Sequence, residues 1–221
     1  MRLLRERIVD DQEKEKIIKF INASADIIHA NNFDLLYQIC PLTNSKLTDL
    51  LLLKSGVNVL KYLSYIPSRF ATDLPITSID IPSNINSIGW LAFCRCTNLV
   101  NVKLHDGIKE IKSNAFSNCT SLTSITIPGS VKKISNGAFL GCDSLKQVYI
   151  EEGVEELELE TFKFCPDLEI LYLPKSLNRI GDYLLLGNAR AVIYYNGNRD
   201  EWTKIEGSIF IPDYIKIIYK G

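Results

Sequence analysis

Residues Val131–Gly153 read VKKISNGAFLGCDSLKQVYIEEG, and the segment before them, Ile108–Ser130, reads IKEIKSNAFSNCTSLTSITIPGS. Laid one above the other, the two agree column by column at a step of 23 residues. Phe93, Phe116, Phe139 and Phe162 keep that step, as do Cys96, Cys119, Cys142 and Cys165, and Leu99, Leu122, Leu145 and Leu168. The series Ile88, Ile111, Ile134, Leu157, Ile180 does the same. A degenerate copy precedes them, placing Tyr62, Tyr65, Phe70, Ile76, Ile79 and Ile81 in these columns and Asp73 in the Cys column. Another follows, with Leu185 in the Phe column and Asn188 in the Cys column. A fixed period of this length is the mark of a solenoid, in which each unit buries its apolar face against its neighbours.

Within one unit, Leu122-x-x-Ile125-x-Ile127 alternates apolar and polar side chains, the pattern of a strand with one buried face. Pro128, or Asp106-Gly107, ends that strand and turns the chain. The spacing of Val131, Ile134, Ala138, Phe139 and Cys142 predicts a loose helical or 3₁₀ return. One strand and one return per unit give stacked coils with a parallel sheet on one face.

The motif Ile134-Ser-Asn-Gly-Ala138-Phe139-x-x-Cys142-x-x-Leu145-x-x-Val148-x-Ile150, with Ile127-Pro128-x-x-Val131 before it, resembles the BspA-like leucine-rich repeats. The ending Tyr194-Tyr195-Asn196-Gly197 with Glu201-Trp202 and Ile205 is similar to that family's terminal block. The resemblance covers residues 57–206. It implies a curved, right-handed leucine-rich-repeat coil used for protein binding, with no enzymatic activity. Many family members are secreted or surface-exposed.

The expected fold class is thus an α+β solenoid preceded by a small helical cap. Residues 1–56 fall outside the step. Apolar stripes and caps predict helices over residues 9–31, 32–38 and 46–54 there, covering the open end of the first coil. This region carries eight Lys+Arg against eight Asp+Glu, weak support for a helix-turn-helix reader, and it lacks the Leu-Pro start of an F-box-like adaptor. Residues 207–221, with six Ile and Phe around Pro212, form a tail that adds a final strand or shields the last coil.

Ile and Leu make up about a quarter of the chain and the net charge is −1, which argues against disorder. The same balance offers no basic field for nucleic acid. Charges interrupt Arg2 to Lys16 and leave no apolar h-region after Met1, so no signal peptide is expected, and Leu50–Leu53 is far short of a membrane span. With no CxxC pair among six cysteines, the expectation is a cytoplasmic protein with free thiols. A one-column cysteine ladder cannot surround a tetrahedral metal ion, and its strand-like spacing exceeds the usual disulfide Cβ separation, which leaves small core side chains. Cys94 shares its column with Ser117, Leu140 and Lys163, which predicts a position nearer the surface.

Catalytic chemistry finds no foothold: there are two histidines, His29 and His105, neither near a nucleophile arrangement, and no phosphate- or dinucleotide-binding glycine motif. No cofactor or metal is called for. Candidate partner-binding residues come from the outward strand columns. One column runs Asp80, Lys103, Thr126, Tyr149, Tyr172 and then Tyr194, the last coil being one residue shorter. Its neighbour runs Ser78, Asn101, Ser124, Gln147, Ile170, Val192. Tyr149, Tyr172, Tyr194, Ile170 and Val192 therefore gather on the C-terminal half of one face, as aromatic and apolar anchors for a protein partner. The alternative is that these tyrosines only suit strands, or that the tail covers them. Glu110, Lys133, Glu156 and Arg179 alternate in sign along one return column and predict bridges between coils. Glu151, Glu152, Glu155, Glu156, Glu158 and Glu160 form an acidic strip that either meets a basic partner or stays solvated. The functional expectation is a protein-interaction module. A self-assembling component of a larger particle, or an inhibitor of a host or rival protein, are the alternatives.

Overall fold

The computed structural model describes residues 64–221, so the expected helical cap, Cys40 and Tyr62 lie outside the described residues. Each coil supplies one strand to a main sheet and a two-residue strand to a second one. In chain order these are β1 (Ser78–Asp80), β2 (Ser87–Ile88), β3 (Asn101–Lys103), β4 (Glu110–Ile111), β5 (Ser124–Ile127) and β6 (Lys133–Ile134). There follow β7 (Gln147–Ile150), β8 (Glu156–Leu157), β9 (Ile170–Leu173), β10 (Arg179–Ile180), β11 (Val192–Tyr195), α1 (Arg199–Trp202) and β12 (Lys216–Tyr219). The second sheet is an unbroken parallel ladder from β2 to β10, whereas the main sheet divides into β1–β3 and β5–β7–β9–β11–β12. The expectation of one strand per coil is corrected by this second ladder.

The period works because each column repeats one job. In β5 and β7 the second and fourth residues are buried and the first and third exposed, as strand alternation requires. Inside, Phe93, Phe116, Phe139 and Phe162 stack nearly face to face, at 5.1, 5.4 and 5.5 Å between ring centres. Ile88, Ile111, Ile134 and Leu157 line the other wall, fully buried.

The cysteine column is part of this core. Cys119 Sγ donates to the carbonyl of Phe93 (3.2 Å), Cys142 to Phe116 (3.2 Å) and Cys165 to Phe139 (3.3 Å). Each thiol thus adds a hydrogen bond to a buried carbonyl of the preceding coil; those of Phe93 and Phe116 also accept from the N–H groups of Cys96 and Cys119. Asn188 takes the last rung: its Nδ2 donates to Phe162 O and its Oδ1 accepts from Cys165 N–H, both at 2.7 Å. Burial pushes the Cys96 and Cys165 thiols up to about 12 and raises those of Cys119 and Cys142 as well. Cys94 does not lie near the surface: it is only 5% exposed and accepts a hydrogen bond from Ser117 Oγ (3.2 Å), because Ser117, the next residue in its column, is itself buried.

The returns are not helical, contrary to the expectation from their spacing. Alternate N–H groups leave the coil: Leu91, Phe93 and Arg95 donate to Ser113, Ala115 and Ser117 of the next one. The groups between them close four-residue β-turns, Ala92 to Gly89, Cys94 to Leu91 and Cys96 to Phe93. This alternation puts an apolar residue inward every three to four positions, the same spacing a helix gives. Two positions per coil are left-handed, filled by Asn114 and Asn118, then by Gly137 and Gly141. These residue types adopt that conformation at least cost. Phe164 and Tyr183 occupy the same two columns further on, and both are exposed. Among the described residues the helical elements are α1 and a 3₁₀ turn at Ser208–Phe210, so the described region is a β-solenoid rather than α+β.

The first described coil runs one residue out of the expected register. Ile66, not Tyr65, bridges Ile88, and Ala71, not Phe70, offers its carbonyl to Cys96 Sγ (3.0 Å). Asp73 consequently shares the left-handed column of Arg95 and binds it at 2.5 Å, rather than standing in the cysteine column. Phe70 therefore meets Phe93 edge-on at 6.1 Å instead of joining the stack. The 23-residue step is regained by Ser78, which pairs with Asn101.

At the other end, Asn198 and Glu201 form a reciprocal capping box that starts α1, and Trp202 packs edge-on against buried Tyr195 at 5.3 Å. The tail then returns to add β12 in parallel beside β11.

Candidate functional site

Strand register sets the outer face of the main sheet. Thr126 pairs with Tyr149, Tyr149 with Tyr172, and Tyr172 with Tyr194. In the neighbouring column Gln147 pairs with Ile170, and Ile170 with Val192. The five candidate residues thus lie together on β7, β9 and β11. Their exposure is uneven. Tyr149 is 48% exposed, whereas Tyr172, Tyr194, Ile170 and Val192 are half-buried by one another and by the added strand. The rings run as a continuous row, 5.5 Å from Tyr149 to Tyr172 and 5.1 Å from Tyr172 to Tyr194. The opposite half of the face carries Asp80, Lys103, Ser78 and Asn101, all exposed.

Two groups that the 23-residue pattern did not single out as part of this face border the row. Lys220, just after β12, holds its Nζ 4.8 Å from the ring centre of Tyr172 and 5.8 Å from that of Tyr194. Glu152 lies at the strand-exit edge. Partial burial opposes its ionisation. Hydrogen bonds from Asn196 Nδ2 (2.7 Å) and from the N–H groups of Lys175 (2.9 Å) and Ser176 (3.1 Å) outweigh that and hold its carboxyl below the usual range. The tail lies outside the repeat, so Lys220 had no column to betray it; Glu152 was visible only as one member of an acidic run. The cleft enclosed by the three tyrosines, Glu152, Asn196 and Lys220 has a volume of about 40 Å³. A small-molecule pocket usually measures about 300–1,000 Å³, so this is a surface to be pressed against.

The acidic strip is largely used within the molecule. Glu155 pairs with Lys132 at 3.0 Å, Glu158 with Lys133 at 2.8 Å and Glu160 with Lys163 at 2.7 Å. Glu151 accepts from Gly129 N–H. The alternating column behaves differently from its expected pairing: Glu156 does bind Arg179 of the next coil, but Lys133 reaches Glu158 and Glu110 reaches Lys112. Of these pairs only Glu156–Arg179 follows the Cα register of the ladder. A wider cleft of about 530 Å³ opens between Trp90, Lys109, Lys112, Lys132, Lys133 and Glu158.

His105 is built into a turn: Gly107 N–H donates to its Nδ1 (2.9 Å), and its Nε2 lies 3.0 Å from the Pro82 carbonyl. His29 lies outside the described residues. Among the described residues, no group of three His, Cys, Asp or Glu side chains could hold a metal ion. Nor, among them, is any helix long and apolar enough to cross a membrane.

A sequence model of the BspA-type leucine-rich-repeat region matches residues 65–189 in six copies. Among solved structures, a leucine-rich-repeat protein of T. pallidum is 31% identical, with a TM-score of 0.55 over 57% of this chain and 59% of its own. The pneumococcal vaccine antigen PcpA is 26% identical, with a TM-score of 0.50 over 54% of this chain and 30% of its own. The match thus spans about three-fifths of the first protein and under a third of the second. No curated protein matches the sequence significantly.

Proposed function

We propose that this chain, which belongs to the BspA-type leucine-rich-repeat family, is a protein-interaction module that holds its partner against the C-terminal half of the main sheet. Leucine-rich repeats in general mediate protein–protein contacts, and repeat solenoids offer extended faces for them. The observation that carries the choice of face is the unbroken row Tyr149–Tyr172–Tyr194 beside Ile170 and Val192. Aromatic side chains concentrate binding energy because they desolvate a large area at low entropic cost. Nothing in the reading calls for catalysis or for a cofactor.

Affinity purification from the native cell, followed by mass spectrometry, identifies what co-purifies. Tyr172→Ala and Tyr149→Ala should then each weaken capture by about 30-fold, the equivalent of a 2 kcal/mol anchor. If both variants retain the partner at wild-type strength, this face is not the interface.

Self-assembly is the second reading, and one observation favours it. Ile209, Phe210 and Tyr214, on the terminal coil, are 84%, 59% and 60% exposed. Light scattering across a concentration series separates the readings: a monomer at all concentrations removes self-assembly.

A further inference from the structure

The contact between Lys220 and the tyrosine row has a chemical meaning of its own. Lys220 is positioned by its backbone, whose N–H donates to Tyr195 O at 3.0 Å. From there the side chain brings its ammonium over the faces of Tyr172 and Tyr194. Among the described residues no carboxylate forms a salt bridge with it, although Glu152 lines the same cleft. A cation sharing a cleft with a carboxylate has thus settled on aromatic rings, which attract it through their negative faces. The ionised Glu152 adds to the negative character of the cleft. The seat is open on one side, since Tyr149 continues the row 5.5 Å beyond Tyr172 and among the described residues no cation covers it.

Resting on the reading of this face as the partner surface, we propose that the tyrosine row is a seat for a basic side chain of the partner, an arginine foremost, and that Lys220 fills the seat when the partner is absent. A lysine on a flexible four-carbon stem is readily displaced. A guanidinium is planar, stacks flat on aromatic rings and is less strongly hydrated than an ammonium, so it competes well. The partner segment is a polypeptide that presents an arginine; the apolar neighbours Ile170 and Val192 accommodate the residues beside it.

The test is nuclear magnetic resonance on the full chain with N-acetyl-arginine amide as probe and its neutral isostere, N-acetyl-citrulline amide, as control. In the free protein the ring currents should shift the Lys220 Cε protons upfield. The arginine probe should return them toward their ordinary position and move the ring signals of Tyr172 and Tyr194, and citrulline should do neither. Lys220→Ala should tighten the probe by about threefold or more, and Tyr172→Leu should weaken it by a similar factor. Retained dispersion of the Lys216–Tyr219 amides verifies that each variant is folded. Citrulline acting as strongly as arginine, or Lys220→Ala leaving the probe affinity unchanged, overturns the proposal. So do ordinary Lys220 shifts in the free protein. Failure of the wider reading looks different: if Tyr172→Ala keeps the native partner, the face is wrong as an interface whatever the probe does. If the partner is lost on Tyr172→Ala while excess arginine probe does not compete with it, the face stands and the basic seat falls.

Discussion

Asn188 should be the single polar side chain on which the C-terminal coils depend most. It is fully buried, with one hydrogen bond given and one received, each at 2.7 Å. Asn188→Ala leaves the Cys165 N–H and the Phe162 carbonyl without partners in the core. Each buried orphan costs about 1–3 kcal/mol, so the loss should come to about 2–6 kcal/mol. Asn188→Cys mimics the other rungs: the thiol can donate to Phe162 O, but the Cys165 N–H loses its side-chain acceptor and is left with the long contact to the carbonyl three residues back that Cys96 and Cys119 make, so about half of the loss should remain. Asn188→Asp keeps the acceptor yet sets a carboxylate oxygen against the Phe162 carbonyl. That variant should be the least stable at neutral pH and should recover in acid, where the protonated carboxyl can donate. Amide hydrogen exchange read residue by residue is the assay. At the lower bound of 2 kcal/mol the Cys165 amide should exchange about 30-fold faster in Asn188→Ala. Amides near Phe93, several coils away, should be unchanged, because solenoid units contact only their neighbours. Exchange at Cys165 within threefold of wild type, or Asn188→Ala and Asn188→Cys behaving alike, would refute this account of the rung.

Three further outcomes follow from the packing. Cys96, Cys119, Cys142 and Cys165 should resist a thiol reagent at pH 8 in the native protein and all react in denaturant, since burial holds Cys96 and Cys165 up at about 12; mass spectrometry of timed aliquots reads this, and native labelling of the ladder within minutes contradicts it. The carboxyl of Glu152 is held below its ordinary 4.5, so its contribution to stability is present above that value and disappears as the pH falls through the lowered one. Urea midpoints measured between pH 6 and 3 should accordingly fall more steeply for wild type than for Glu152→Gln. Gly129→Ala would put a methyl 1.8 Å from the carbonyl oxygen of Glu152 in the next coil, forcing the two coils apart; a loss of about 1–3 kcal/mol or more is expected in urea unfolding, and an unchanged midpoint would contradict so close an approach.

The parts of the molecule that could be read from the sequence are those in which one column does one physical job. The Phe stack and the alternation in Ser124–Ile127 are of this kind, and so is the alignment of Tyr149, Tyr172 and Tyr194. The cysteines could be recognised as core residues, yet their carbonyl partners could not, because a thiol's hydrogen bond leaves no trace in spacing. The returns read as helical because alternating turns and helices share a three-to-four spacing. The discriminating signal was present in Asn114 and Asn118, replaced one unit later by Gly137 and Gly141: two left-handed positions four residues apart contradict a helix. Phe70 misled because an aromatic in the right column outweighed a one-residue slip that only Ala71 and Ile66 reveal. Lys220 is invisible to any periodic reading, as it reaches the tyrosine row from a segment that follows no period.

The return segments carry a consequence for how such a chain can change over time. In the inner coils the N–H groups directed along the stack find a carbonyl one coil further on, and the junctions between these coils are chemically much alike. A cut placed among the inner coils, and a second cut 23 residues later, therefore meet in an environment that each side already fits. Copies can be gained or lost by recombination without new core chemistry. Each added or lost coil changes stability only by its own packing and its junctions with its neighbours, and the distance between the polar half of the face and its tyrosine half can be adjusted in steps of one coil, about 4.7–4.9 Å each.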